Sequence, residues 1–362
     1  MALNHTAGAS KAERQKDKKI FDNSGEPEDS AENPIITKGG GSEGKNSDRS
    51  EKGKPTTIDL TPPRIFSLVR NTEKSIKFLN ELEEKLEAYD EVVIDFTDIS
   101  YVSSDGLFGL HSKVVDGRGQ AMGIFPKGEE LYNKFRASDF FGDGEEATKG
   151  SKRSQGKMGR QTKKAKSFTI DKDVSSYKTG LEISLDEVDE TLEFIASSIY
   201  NGKRLPPIRT IFVALMENTV EHASGDLANE YWRYSYYHDK EKESVRFNFL
   251  DYGMGITESV KLRWRNEKSG RFSRSSGDKI LKAAFAGKVT ISTPEKPRGG
   301  RGLPSILDTC KRNRIKNLVV ITNETKAEVK DDGIIYTKLQ ENFGGTFIHW
   351  EIDESNEGIC ES

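Results

Sequence analysis

The chain has 362 residues and a formal net charge of -3, a length that suits two domains and a balance that gives no global signal for nucleic-acid binding. With only two cysteines, Cys310 and Cys360, a disulfide framework is excluded, and no Cys/His spacing fits a zinc site. The N-terminus lacks an apolar core segment and no apolar run reaches membrane-spanning length, which predicts a cytoplasmic protein with no membrane contact.

Residues 1–55 are mostly Gly, Ser, Lys, Glu and Asp with almost no apolar periodicity, the composition of a disordered tail. Order is expected to begin with a strand over Arg64 to Val69. A helix follows, whose Ile76, Leu79, Leu82, Leu86 and Tyr89 recur at helical spacing. Next come a buried strand at Val92 to Ile94 and a helix opened by Ser103-Ser104-Asp105-Gly106-Leu107. A strand (Met122 to Phe125) and a helix (Glu129 to Phe135) complete an alternating α/β unit over residues 56–145. The run VVIDFTDISYVSSDGLFGL, Val92 to Leu110, resembles the centre of STAS domains, the fold of anti-anti-sigma factors. In phosphorylatable members of that family the residue before the glycine is Ser or Thr, whereas Asp105 stands there in this chain. The resemblance thus implies a regulatory role for Ser104 and Asp105, with the carboxylate imitating a phosphorylated state. Helix N-capping serves as well to explain Ser and Asp at this place.

Residues 146–167 form a predicted linker. Its stretch Thr148 to Lys166 carries eight basic residues, three glycines and no acidic residue, the composition of a flexible connection. It is also a surface that would meet phosphate backbone without reading sequence. GSKRSQGKM is not a P-loop, because five residues separate Gly150 from Gly156 and Met158 stands where Ser or Thr is required.

A second domain is expected over 168–362. Ser184 and Glu187 form a capping-box pattern before a helix with Val188, Leu192, Ile195 and Ile199 on one face. Pro206 and Pro207 restart the chain into a helix bearing FVALMENTVEHA, Phe212 to Ala223. Paired strands (Tyr231 to His238, Ser244 to Leu250) lead into LDYGMGI, Leu250 to Ile256. After RGGRGLPSI, Arg298 to Ile306, come strands at Leu318 to Thr322, Ile334 to Lys338 and Thr346 to Ile352. Their alternation predicts a mixed or antiparallel sheet with helices on one face.

Three of these segments suit Mg-ATP. Asn218 presents an amide oxygen from a helix, Asp251 a carboxylate from a strand end, and Gly253 and Gly255 leave room beside a purine. Gly300 and Gly302 permit a turn into a helix that Pro304 starts, whose free N–H groups would face phosphate. In this order, followed by Gly344-Gly345-Thr346, the segments resemble the N, G1, G2 and G3 boxes of the GHKL (Bergerat-fold) ATP-binding domains. The resemblance implies an α/β sandwich binding ATP and Mg2+. Asn218 would complete the metal's coordination, Asp251 would accept from adenine N6, and His222, Leu303 and Thr346 would join the binding set. Residues 257–297 would be the ATP lid.

One departure bears on chemistry. Where the hydrolysing branches and the anti-sigma kinases carry Glu four residues before the Asn, this chain has Ala214. Glu221, three residues after Asn218, is the nearer substitute base, while Glu217 points about 100° away. Loss of a general base removes ~10²- to 10⁴-fold in rate, so slow hydrolysis or none is expected. NTVEHA is more similar to the anti-sigma kinase NAxxHA than to the histidine-kinase NAxKY, and no histidine lies in a phosphoacceptor context. His222 serves either phosphate contact or helix packing. Three functions remain open: an ATP-binding switch acting on the STAS-like unit or a protein partner, a serine/threonine kinase of the anti-sigma type, and a nucleic-acid-associated ATPase using residues 148–166. For the switch, the loop Ser103 to Leu107 would reach the lid of its own chain or of a second copy in a homodimer.

Overall fold

Two five-stranded sheets organise the chain. The computed structural model describes residues 57–136, 141–142, 167–170, 177–222, 232–240, 242–265, 272–289, 302–356 and 358–360. The tail 1–55 and the basic stretch 148–166 lie outside the described residues. In the first lobe, β1 (Thr57–Leu60), β2 (Ile65–Phe66) and α1 (Thr72–Ala88) lead to β3 (Glu91–Asp95), β4 (Tyr101–Val102) and α2 (Ser104–Asp116). Then follow β5 (Gln120–Ile124), α3 (Glu129–Arg136), β6 (Phe141–Gly142) and β7 (Ser167–Ile170). The sheet order is β1-β3-β5-β7-β6, with β1, β3 and β5 parallel.

The apolar periodicity of α1 becomes a packed face: Ile76, Leu79, Leu82 and Leu86 are buried. Helix α2 approaches β2 so closely that a Cβ on Gly106 would lie 2.6 Å from the Phe66 carbonyl oxygen, which explains glycine in the SSDGL run. Ser167–Ile170 was expected to open the second domain near Phe168. Instead it runs antiparallel to β5, with Phe168 opposite Gly123. Strand pairing between distant segments leaves no periodicity to read.

The second lobe contains β8 (Tyr177–Gly180), α4 (Leu185–Ile199), α5 (Pro206–His222), β9 (Trp232–Asp239) and β10 (Ser244–Asp251). It continues with α6 (Ile256–Arg265), α7 (Gly277–Phe285), α8 (Gly302–Lys311), β11 (Lys316–Lys330) and β12 (Gly333–Asp353). Its order is β11-β12-β10-β9-β8, antiparallel throughout. The strands expected at Ile334 to Lys338 and Thr346 to Ile352 are one 21-residue strand. Ser184 does stand before α4, yet its side chain makes no cap hydrogen bond, and among the described residues Glu187 Oε2 is buried without a partner. The predicted capping box is therefore not formed.

Alternation along β10 sends Val245, Phe247 and Phe249 into a core with α4, α5 and α8. There the rings of Phe247 and Trp350 stack at 5.1 Å, with Phe212 edge-on to both. Leu250, on the opposite face, joins Val319, Ile321, Phe343 and Phe347 in a core that also holds Leu68, Leu79, Leu107 and Phe108 of the first lobe. The sheet thus carries helices on both faces, where one was expected. Its second cover is α1 and α2. Polar contacts seal this joint: Glu73 accepts from the backbone N–H groups of Gln340 and Glu341, and Lys326 Nζ donates to the Val69 carbonyl at 2.6 Å. The described residues belong to one compact unit that is mixed α/β, with parallel and antiparallel strands.

Candidate functional site

Asp251 is the last residue of β10, paired with Trp232 on one side and Thr346 on the other. Its Oδ1 accepts the Gly253 N–H at 2.6 Å, an Asx-type turn that swings the chain away from the sheet. The partner strand must come very close here. Gly345 has φ +111°, and a Cβ would collide with the Asp251 carbonyl oxygen at 1.9 Å. Gly255, at φ +78°, faces Asn323 and the Gly345 carbonyl, with Asn323 Oδ1 only 2.5 Å from where a Cβ would sit. Crowding at Gly255 therefore comes from β11 and β12, and at Gly253 from the Asp251 carboxylate 2.8 Å from where a Cβ would sit.

Two residues that sequence reasoning missed fix this loop. Thr322 Oγ1 accepts from the Ile256 N–H at 2.8 Å and donates to the Gly345 carbonyl at 3.1 Å. Asn323, itself at φ +50°, accepts from Thr257 Oγ1 at 2.7 Å and donates from Nδ2 to the Met254 carbonyl at 2.9 Å. Their signal was the polar run Thr322-Asn323-Glu324-Thr325 interrupting an apolar strand. Thr346 is buried with its Oγ1 3.4 Å from that of Thr322, so the G3-like residue belongs to the same knot.

The other half of the site lies where α8 meets α5. A Cβ on Gly302 would lie 3.3 Å from the Ala214 carbonyl oxygen, so the start of α8 is pressed onto α5 one turn before Asn218. Pro304 is the third residue of α8, not its first, a position where its missing N–H costs nothing. Leu303 packs partly against the core beneath. Asn218 is half-buried and, among the described residues, its amide has no hydrogen-bond partner. Glu217 is exposed. Glu221 and His222 complete the last turn of α5, but their side chains, like Gly300, lie outside what is described.

Much of the expected lid is part of the body. Helix α7 buries Ile280, Leu281, Ala284 and Phe285. In α6, Lys261 is held by Glu258 at 2.6 Å. A cleft of about 570 Å³ between α6, α7 and the β11–β12 hairpin includes Thr257, Asn323, Tyr336 and Lys338, but none of Asn218, Asp251 or Thr346.

The loop before Gly106 is likewise internal. Asp105 is 3% exposed, and its Oδ1 accepts from Ser67 Oγ, the Leu68 N–H and the Val69 N–H at 2.9, 2.5 and 3.2 Å. It fastens the turn after β2 and presents no carboxylate to solvent. Ser104 Oγ is buried with no hydrogen-bond partner among the described residues.

Among the described residues no group of three His, Cys, Asp or Glu could hold a metal, and no helix is long and apolar enough to cross a membrane. No protein-family model matches the chain, and no curated protein matches it.

Proposed function

We propose that the chain is an ATP-binding regulatory protein of GHKL type, built on a STAS-like first lobe, in which Mg-ATP sets how elements of that lobe seat against the second or how a protein partner docks. The observation that carries this reading is the pressing of the α8 N-terminus onto α5 at Ala214, one turn from Asn218. That contact joins two motif segments which lie far apart in sequence. Asn218 fits a magnesium site completed by phosphate oxygens, because its half-buried amide has no partner among the described residues. Free N–H groups in the first turn of α8 suit a phosphate. Asp251, fixed at its strand end by Gly253 and Gly345, suits an amine donor such as adenine N6.

Bound nucleotide would supply the negative charge and the ordering energy of a switch. At position 214 a methyl group stands where a general base would be needed, so hydrolysis is slow or absent in this reading. A cytoplasmic setting and a protein partner belong to the same proposal. Titration calorimetry with Mg-ATP tests it: the wild type should bind and Asp251→Asn should not. Equal affinity in the two would remove Asp251 from the site, and no binding by the wild type would remove the function.

A further inference from the structure

The residue after Asp251 is a tyrosine whose ring lies behind the loop, against the first lobe. Lys113 Nζ of α2 sits 4.4 Å from the Tyr252 ring centroid and the Arg233 guanidinium of β9 sits 5.1 Å from it. Both cations are anchored by the first lobe. Arg233 Nη1 donates to Asp116 Oδ2 at 2.6 Å and to the Ser112 carbonyl at 3.1 Å, its Nη2 donates to Asp116 Oδ1, and Lys113 Nζ is paired with Glu83 Oε2 at 2.6 Å. Tyr177 closes the cluster, with its hydroxyl 3.4 Å from Ser112 Oγ and its ring against His111. Arg233 is 2% exposed, whereas the Asp116 side chain it pairs with is 38% exposed, so only the guanidinium end of the pair is shielded from water. Burial holds the Tyr252 hydroxyl well above the usual phenol range, and the ring is a neutral, polarisable face for both cations.

One peptide unit separates this ring from Asp251. On its other side the loop is fastened to β12 by Gly345 and to β11 by Thr322 and Asn323. Any ligand that orders residues 251–255 therefore also fixes the ring on which α2 rests. We propose that Tyr252 is a positioning residue that links occupancy of the Asp251 loop to the seating of α2 through Lys113 and the Arg233–Asp116 pair. This rests on the nucleotide reading above and assigns its readout to the α2 face of the first lobe.

Linkage is reciprocal: if nucleotide tightens α2, loosening α2 must weaken nucleotide by the same factor. Lys113→Met is the gentlest way to loosen it, because it keeps the apolar stem and leaves unpaired only Glu83, whose side chain is 52% exposed. The experiment uses the full chain with a non-hydrolysable Mg-ATP analogue. It combines calorimetry with hydrogen exchange on the peptide spanning α2, and the exchange arm needs no variant. Saturating the wild type should slow α2 exchange severalfold. Lys113→Met should bind the analogue about three- to tenfold more weakly and lose most of that slowing, with Asp116→Asn moving both readouts the same way. Binding by the wild type with unchanged α2 exchange, or affinity in Lys113→Met within twofold of wild type, overturns the linkage and leaves the nucleotide site standing. No binding by the wild type overturns both.

Discussion

Asp105 carries a different burden from the one its position in a phosphoacceptor-like loop suggests. Three donors converge on one of its oxygens in a buried turn, so Asp105→Ala strands those donors and should cost about 2–4 kcal/mol of stability. Chemical denaturation measures this, and an unchanged midpoint would show that the turn does not depend on the carboxylate. Gly345→Ala should be worse, because a side chain is asked to occupy the space of the Asp251 carbonyl. That substitution should give insoluble or unfolded protein, whereas Gly344→Ala, with nothing within 4 Å of its would-be Cβ, should be tolerated. Soluble expression of the pair, side by side, checks the assignment. Of the site residues, Asp251 was legible because the alternation of β10 ends there. Asn323 was visible only as an oddity in a strand, since its partners Thr257 and Met254 lie 66 and 69 residues away.

At the level of elements, three strands meet at Glu351. Its carboxylate accepts from Arg246 Nε of β10 at 3.0 Å and from Asn317 Nδ2 of β11 at 2.6 Å, with His349 Nε2 at 3.5 Å. Burial pushes the carboxyl up, but the His349 and Asn317 hydrogen bonds and the His349 and Arg246 charges outweigh it and hold the group at about 2. A folded value below the unfolded one contributes stability that is complete above about 4.5 and is lost as pH falls from there toward about 2. Glu351→Gln should therefore cost about 1–3 kcal/mol at neutral pH, and its deficit should shrink in that acid window. Parallel denaturant curves at pH 7 and pH 3 would reveal a constant deficit if the coupling is absent.

The apposition of α5 and α8 carries a second test. Ala214→Glu places a carboxylate beside the start of α8, and on the proposed function phosphate release from ATP should rise tenfold or more. An unaltered rate would detach position 214 from the chemistry. Helix α5 was readable from Pro206-Pro207 and its apolar repeat. Helices α6 and α7 are hard to read as part of the body because charged, glycine-containing flanks dilute the repeat formed by Ile280, Leu281, Ala284 and Phe285.

Across the whole molecule, the joint between the lobes decides what can be cut. Leu250, Val319, Ile321, Leu339, Phe343 and Phe347 are buried in the core shared with the first lobe. At about 1.5–3 kcal/mol for each large apolar side chain, uncovering them forfeits on the order of 10 kcal/mol, as much as a typical domain's entire stability. A fragment of residues 177–362 alone should be insoluble or bind hydrophobic dyes, and should be rescued by coexpressing residues 57–170. A soluble, dye-negative fragment would contradict the shared core. No alternation in sequence distinguishes a sheet face turned to water from one turned to another lobe when both are apolar, which is why this cover was not foreseen.

The same joint governs how the chain is made. Glu73 meets the backbone of Gln340 across 267 residues. Ribosomes adding roughly 5–20 residues per second therefore finish α1 tens of seconds before the strand it will rest on exists. During that interval the parts of α1 and α2 that will rest on β10 and β12 have no native cover. Loop closure over such a span is also entropically slow. Nascent chains stalled before β12 should consequently be the species that chaperones hold, and release should coincide with completion of the β11–β12 hairpin.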